Sequence, residues 1–243
     1  MKGGFSFATL PLRDVERAVR ELEYAFDTLG VDGVVLLSNY AGHYLGDPAF
    51  GPLWAEFERR AAVVFVHPAK PAIPITEGIP GPIVNYPFDT TRTAVQLVLN
   101  GVIARSPRVT IILSHAGGFV PYAAHRFAEL ASAVRTDVPA TADLLESFRS
   151  FYFDTALSSG PASLLALQSF ARPGHILYGS DFPYAPASVG ASFTAKLDAF
   201  EGLSREARAA IDNSGACMLF PRLRTQALPH PAPGMLRSAA RKE

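Results

Sequence analysis

The sequence predicts an α/β fold built on a parallel sheet, and three observations carry that prediction. Short apolar runs rich in β-branched residues, VDGVVLLS at 31–38, AAVVFV at 61–66 and VTIILS at 109–114, stop at polar residues, proline or glycine and are too short for stable helices. Segments with apolar residues at helical spacing alternate with them, giving six strand-helix units without an internal repeat. Runs that are apolar on both faces must be covered on both, as in parallel sheets, where chemistry-bearing side chains gather at the strands' C-terminal ends. A barrel and a doubly wound sheet both satisfy this alternation.

In order, Phe5 to Leu10 reads as a short strand. Val15, Ala18, Val19, Leu22, Ala25, Phe26 and Leu29 then form a helical stripe, with Asp14 as N-cap and Gly30 as stop. The strand Val31 to Ser38 opens into the loop NYAGHYLGDP, and a helix from Pro52 to Arg60 follows. Ala61 to Val66 is a third strand, ending in His67-Pro68 and a proline-rich loop that runs to Phe88. Loops of that length tend to be functional. Asp89-Thr90-Thr91 reads as the start of a helix that ends before Ser106-Pro107, after which the Val109 strand delivers His115. A helix from Pro121 turns Ala123, Phe127, Leu130, Ala131 and Val134 inward, and a second helical piece holds Leu144, Leu145 and Phe148. Ser150 to Leu157 is a strand, Pro161 opens a helix, and the strand His175 to Gly179 ends at Ser180-Asp181. Helices near Ala191 to Phe200 and Ser204 to Asn213 precede a loose tail over 221–243, so that residues 1–220 form one domain.

A chain of 243 residues, 49% hydrophobic, can bury a sizeable core without staples. Lysine plus arginine and aspartate plus glutamate both total 22, so no global field selects nucleic acid or an anionic membrane, and a small-molecule partner fits best. The single cysteine, Cys217, allows no internal disulfide. No apolar run approaches the ~20 residues of a membrane span, and Met1 to Leu12 has no signal-peptide core, so a cytoplasmic location is expected.

Three strand ends carry His67, His115 and Asp181, residue types that bind divalent zinc, manganese or iron and that can converge if the strands run the same way. Each also has a plainer reading, since a strand-end histidine is often a hydrogen-bonded structural residue and an aspartate can cap a turn.

The motifs FVHP, ILSHAGGFVPYAAHR, FYFDTAL and ILYGSDFP, in that order, resemble the metal-dependent amidohydrolase-related family that includes aminocarboxymuconate semialdehyde decarboxylase. The segments FATLPL, LLSNYAGHYLGDPAF and YPFDTTRTA are similar to its 6-methylsalicylate decarboxylase branch. The resemblance implies a TIM-like (β/α)8 barrel, with His67 and Asp181 as metal ligands, His115 as the catalytic histidine and Asp181 as a group that also moves protons. It implies that Arg126 reaches a substrate carboxylate across a homodimer interface. Phe88, Tyr184 and Trp54 offer aromatic rings, of which Phe88 is assigned to substrate binding, although all three also suit ordinary packing.

The implied reaction is decarboxylation of a small aromatic acid, with zinc or manganese as cofactor. The alternatives are a metal-dependent hydrolase of a small ester, lactone or amide, and a non-catalytic remnant. The last arises because the family's first strand carries an H-x-H or E-x-H pair, whereas the first strand here, FSFATLP, contains neither histidine nor carboxylate. It corresponds to the third barrel strand, so about six of eight units are expected, with an N-terminus truncated relative to the family and a weakly held metal. His43, in the loop five residues beyond the end of the Val31 to Ser38 strand, is a candidate replacement ligand.

Overall fold

Residues 6–71 and 77–225 are described by a computed structural model, and within them strand and helix alternate as the apolar pattern requires. β1 (Phe7–Thr9) leads to α1 (Val15–Tyr24), where the Asp14 carboxylate accepts from the Arg17 N–H as the expected cap. A π-helical turn over Ala25–Leu29 and a left-handed Gly30 stop the helix before β2 (Gly33–Leu37). The loop after β2 contains a small hairpin, β3 (Asn39–Tyr40) with β4 (His43–Tyr44). Next come α2 (Gly51–Arg60), β5 (Val63–His67), α3 (Gly81–Leu99) and α4 (Val102–Arg105). β6 (Thr110–Leu113), α5 (Val120–Val134), α6 (Thr141–Arg149), β7 (Tyr152–Asp154), α7 (Pro161–Phe170) and β8 (Ile176–Leu177) continue the alternation. It ends in α8 (Ala187–Asp198), α9 (Arg205–Ala209) and α10 (Gly215–Leu219).

β1, β2, β5, β6, β7 and β8 pair in that order, and every pair is parallel. The order never reverses, which separates the two readings left open by the sequence: a doubly wound sheet has a switch point where the order turns back, and a barrel does not. The sheet is a barrel-type one of six strands, and no β8–β1 pair closes it among the described residues. One face is covered by helices through Leu22, Phe57, Leu97, Phe148 and Phe153, all fully buried. The other face carries a smaller cluster of Val63, Ile112, Leu177 and Phe220.

Several expectations are corrected. The proline-rich loop is shorter than read: residues 72–76 lie outside the described ones, and 81–88 already belong to α3. Pro82 sits in the first turn, where no N–H is needed, and Pro87 is carried inside the helix. Asp89 is therefore not a cap but a fully buried residue two turns in. On α5 the buried stripe is Val120, Ala124, Ala128 and Ala131, and Leu130 and Val134, expected inward, are exposed. Leu29 is exposed as well, because the π-helical turn changes the angular step of its stripe. The last strand is cut to two residues: the next ladder donor, the Gly179 N–H, goes to the Thr155 hydroxyl at 3.2 Å in place of the Thr155 carbonyl. Of the tail, 221–225 form a 3-10 turn with Arg222 donating to both oxygens of Asp32, and 226–243 lie outside the described residues. No described helix is long and apolar enough to cross a membrane.

Candidate active site

The parallel sheet sends the C-terminal ends of β5, β6 and β8 to one side, and His67, His115 and Asp181 meet there. His67 Nε2 and His115 Nε2 each lie 3.5 Å from Asp181 Oδ1, and the two imidazole rings stand 5.4 Å apart. One ligand atom from each residue falls within 4.8 Å of the others, a spacing that a single divalent ion can bridge. The His67 Nδ1 faces the Pro68 carbonyl at 2.9 Å, and since a carbonyl only accepts, that nitrogen holds the proton. The lone pair is then on Nε2, which is buried and has no hydrogen-bond partner. A buried acceptor in that state, beside a second imidazole and a carboxylate, fits a metal ligand.

The chain reaches these positions through strained backbone. His115, Ala116 and Asp181 have φ of 54°, 57° and 61°, left-handed values that cost non-glycine residues energy and persist where the surroundings enforce them. For His115 the enforcing group is Asp154, at the end of β7, whose Oδ1 accepts from the His115 N–H at 2.7 Å and the Ala156 N–H at 3.0 Å. Burial pushes the Asp154 carboxyl up. Burial also works to lower the His115 pKa, but the Asp181 carboxylate and the Asp154 charge outweigh it, leaving the imidazole above its usual value. Asp181 shows the converse: burial raises it, yet His115 holds it below the usual carboxylate range.

Over the cluster lies a cavity of about 580 Å³, walled by Leu37, Pro82, Ile83, Tyr86, Leu157 and Tyr184. Tyr184 stacks obliquely on His67, ring centres 5.4 Å apart. Phe88 does not line this cavity. It packs on Phe119, centroids 4.3 Å apart, in a separate apolar cavity between α3 and α5. Arg126 is exposed on α5 and lines neither. Trp54 is core, its Nε1 donating to the Leu45 carbonyl, and His43 pairs with Asp47 away from the cluster.

Two acidic residues escaped the sequence reading. Asp154 carried the signal that singled out Asp181, a carboxylate ending a buried strand. Asp89 carried none, because its partners are distant in sequence: it accepts from Ser38 Oγ, from Asn39 Nδ2 at 2.7 Å and from the Tyr44 hydroxyl at 2.6 Å. Burial, then the bond to Asp89 and its charge, push the Tyr44 hydroxyl up to about 12. The unfolded phenol ionises near pH ~10, so the fold gains from neutral Tyr44 below that pH and loses the gain as pH rises from about 10 to about 12. Denaturation midpoints across that window should fall more steeply for the wild-type chain than for Tyr44→Phe; equal slopes would refute the assignment.

The amidohydrolase family matches residues 1–216. The chain is 46% identical over 224 residues to a 6-methylsalicylic acid decarboxylase of Penicillium expansum, covering 90% of this chain and 69% of that one. It is 42% identical over 235 residues to the decarboxylase yanB of Aspergillus niger, covering 91% and 64%. The chain thus spans about two thirds of the length of these relatives. The crystal structure of a 2,6-dihydroxybenzoate decarboxylase complexed with 2,6-dihydroxybenzoate is similar with a TM-score of 0.77 at 25% identity, over 89% of this chain and 70% of that one. The sequential parallel sheet, the strand-end cluster and a match over most of its length together place the chain in the amidohydrolase family.

Proposed function

We propose that the chain is a metal-dependent decarboxylase of a small aromatic carboxylic acid of the 6-methylsalicylate type. The observation that carries this reading is the pair of imidazole Nε2 atoms around one Asp181 oxygen, at the floor of a cavity walled by apolar and aromatic side chains. The names of the relatives at 46% and 42% identity support the reaction class.

In this reading His67 and Asp181 hold a divalent ion, zinc or manganese. The ion supplies electrostatic stabilisation and orientation for the carboxylate and a neighbouring hydroxyl of the substrate. The chain's own residues do the rest. Breaking the ring–carboxyl C–C bond leaves its electron pair on the ring carbon as CO2 departs. His115, whose imidazole Asp181 and Asp154 hold above its usual pKa, donates the Nε2 proton to that carbon and is reprotonated from solvent. The wall from Leu37 to Tyr184 stacks the ring and excludes water from the carbanion-like centre. Arg126 contacts a substrate carboxylate only if a second copy presents it, which makes a homodimer part of the proposal. Phe88 would act through Pro87 and Tyr86, the residues before it on α3.

Incubating the purified chain with Mn2+ or Zn2+ and 6-methylsalicylate tests the reading. The expected results are CO2 release and about one bound ion per chain by elemental analysis. A metal-loaded, folded chain that releases no CO2 but hydrolyses a small ester, lactone or amide would replace it with the hydrolase.

A further inference from the structure

Asp89 sits outside the metal-site cluster, yet it is fully buried, and its bonds lead to the chain that carries His67. Ser38, just past the end of β2, donates its hydroxyl proton to Asp89 Oδ2, and the same Oγ accepts from the Ala69 N–H at 2.8 Å. That N–H belongs to the peptide group whose carbonyl, on Pro68, accepts from His67 Nδ1 at 2.9 Å. Asn39 Nδ2 bonds Asp89 as well and reaches the Lys70 carbonyl at 3.3 Å, while the Ser38 N–H donates to the His67 carbonyl at 2.8 Å.

We propose that Asp89 is a positioning residue for His67, acting through Ser38 and one peptide plane, so that a buried carboxylate orients the imidazole without touching it. The inference rests on the metal-binding role proposed for His67. Its physical basis is direction: the plane between Pro68 and Ala69 has a fixed geometry, so anchoring its N–H fixes the carbonyl that holds the Nδ1 proton. Nε2 is then the only nitrogen of the ring with a lone pair to offer, and it faces Asp181. Carboxylates bonded directly to ligand histidines do the same work; here a backbone amide and a hydroxyl are interposed. A purely structural role would not need two of the carboxylate's partners to continue to backbone atoms at 69 and 70. Tyr44 provides the control, since its hydroxyl bonds Asp89 Oδ1, from which Arg92 Nη1 stands 3.8 Å, and among the described residues it makes no hydrogen bond to that segment.

The test titrates Mn2+ into the wild-type, Ser38→Ala, Asp89→Asn and Tyr44→Phe chains, with Tm measured for each. Ser38→Ala and Asp89→Asn are expected to weaken Mn2+ binding by about 10–100-fold, and Tyr44→Phe to leave it within a factor of ~2 even where its Tm falls. In the metal-free chains, the His67 ring nitrogen NMR shifts should show the Nδ1–H tautomer in wild type and a mixture in Ser38→Ala. Unchanged Mn2+ affinity and tautomer in Ser38→Ala, or losses in all three variants that merely follow Tm, would overturn the inference. A folded wild-type chain that binds no Mn2+ would overturn the metal reading and this one together, whereas binding retained equally by wild type and Ser38→Ala overturns only this one.

Discussion

His115→Ala is expected to lower CO2 release from 6-methylsalicylate by about 10²–10⁴-fold, the range that a positioned proton donor contributes, while leaving bound metal near its wild-type level. The expectation follows from the two sets of contacts that His115 makes. Its backbone is fixed by Asp154 and its ring by contact with Asp181, so the Nε2 proton has one direction in which to go. Among the described residues that line the cavity beside Asp181, His115 is the one whose pKa is raised. His115 Nε2 is nonetheless as close to Asp181 as His67 Nε2 is, and geometry alone would also make it a ligand. Metal content decides between the roles: loss of activity with metal retained supports the acid, whereas loss of both in proportion would make His115 a third ligand and transfer proton delivery to Asp181. Full activity in His115→Ala would remove the mechanism.

The residues that the sequence singled out and those it hid differ in how local their signal is. His67, His115 and Asp181 each end an apolar run, and a parallel sheet has to bring such ends to one side, so their convergence is legible in the sequence. The barrel sense of the winding was not legible from alternation alone; the resemblance implied it, and the unbroken strand order bears it out. The start of α3 was misread because prolines normally mark breaks, whereas here one occupies the first turn and the other is tolerated inside. Asp89 was misread because a short acidic residue before two threonines looks the same whether it caps a helix or sits buried in one. Its donors come from 45 to 51 residues earlier, and no local pattern encodes that. Leu130 and Val134 are exposed because the stripe of alanines on α5 packs closer than a stripe of leucines would, a choice that depends on the neighbouring element.

The second large effect concerns how that strained turn is seated against α3. Gly118 has φ +63° and ψ −116°, a backbone conformation that residues with a Cβ avoid, and a Cβ built there would lie 2.1 Å from the Pro87 carbonyl oxygen and 2.6 Å from Thr91 Oγ1. Neither neighbour can give way cheaply. Pro87 is backbone inside a helix, and Thr91 Oγ1 is held between two bonds, donating to that carbonyl at 2.8 Å and accepting from the Phe119 N–H at 2.9 Å. Backbone strain of about 1–3 kcal/mol and a forced shift of about 1–3 kcal/mol both apply to Gly118→Ala, so a loss near 4 kcal/mol is expected, read as a Tm drop of about 8–16 °C for a chain of this size. Gly51→Ala is the matched control, since that residue is helical at φ −49° and has no atom within 4 Å of a built Cβ, so its Tm should hold or rise slightly. A Gly118→Ala chain that melts with the wild type would mean that the turn after His115 can move away from α3. The turn's close seating on Pro87 would then not be what holds the His115 backbone in its left-handed conformation, leaving that work to the carboxylate of Asp154 alone.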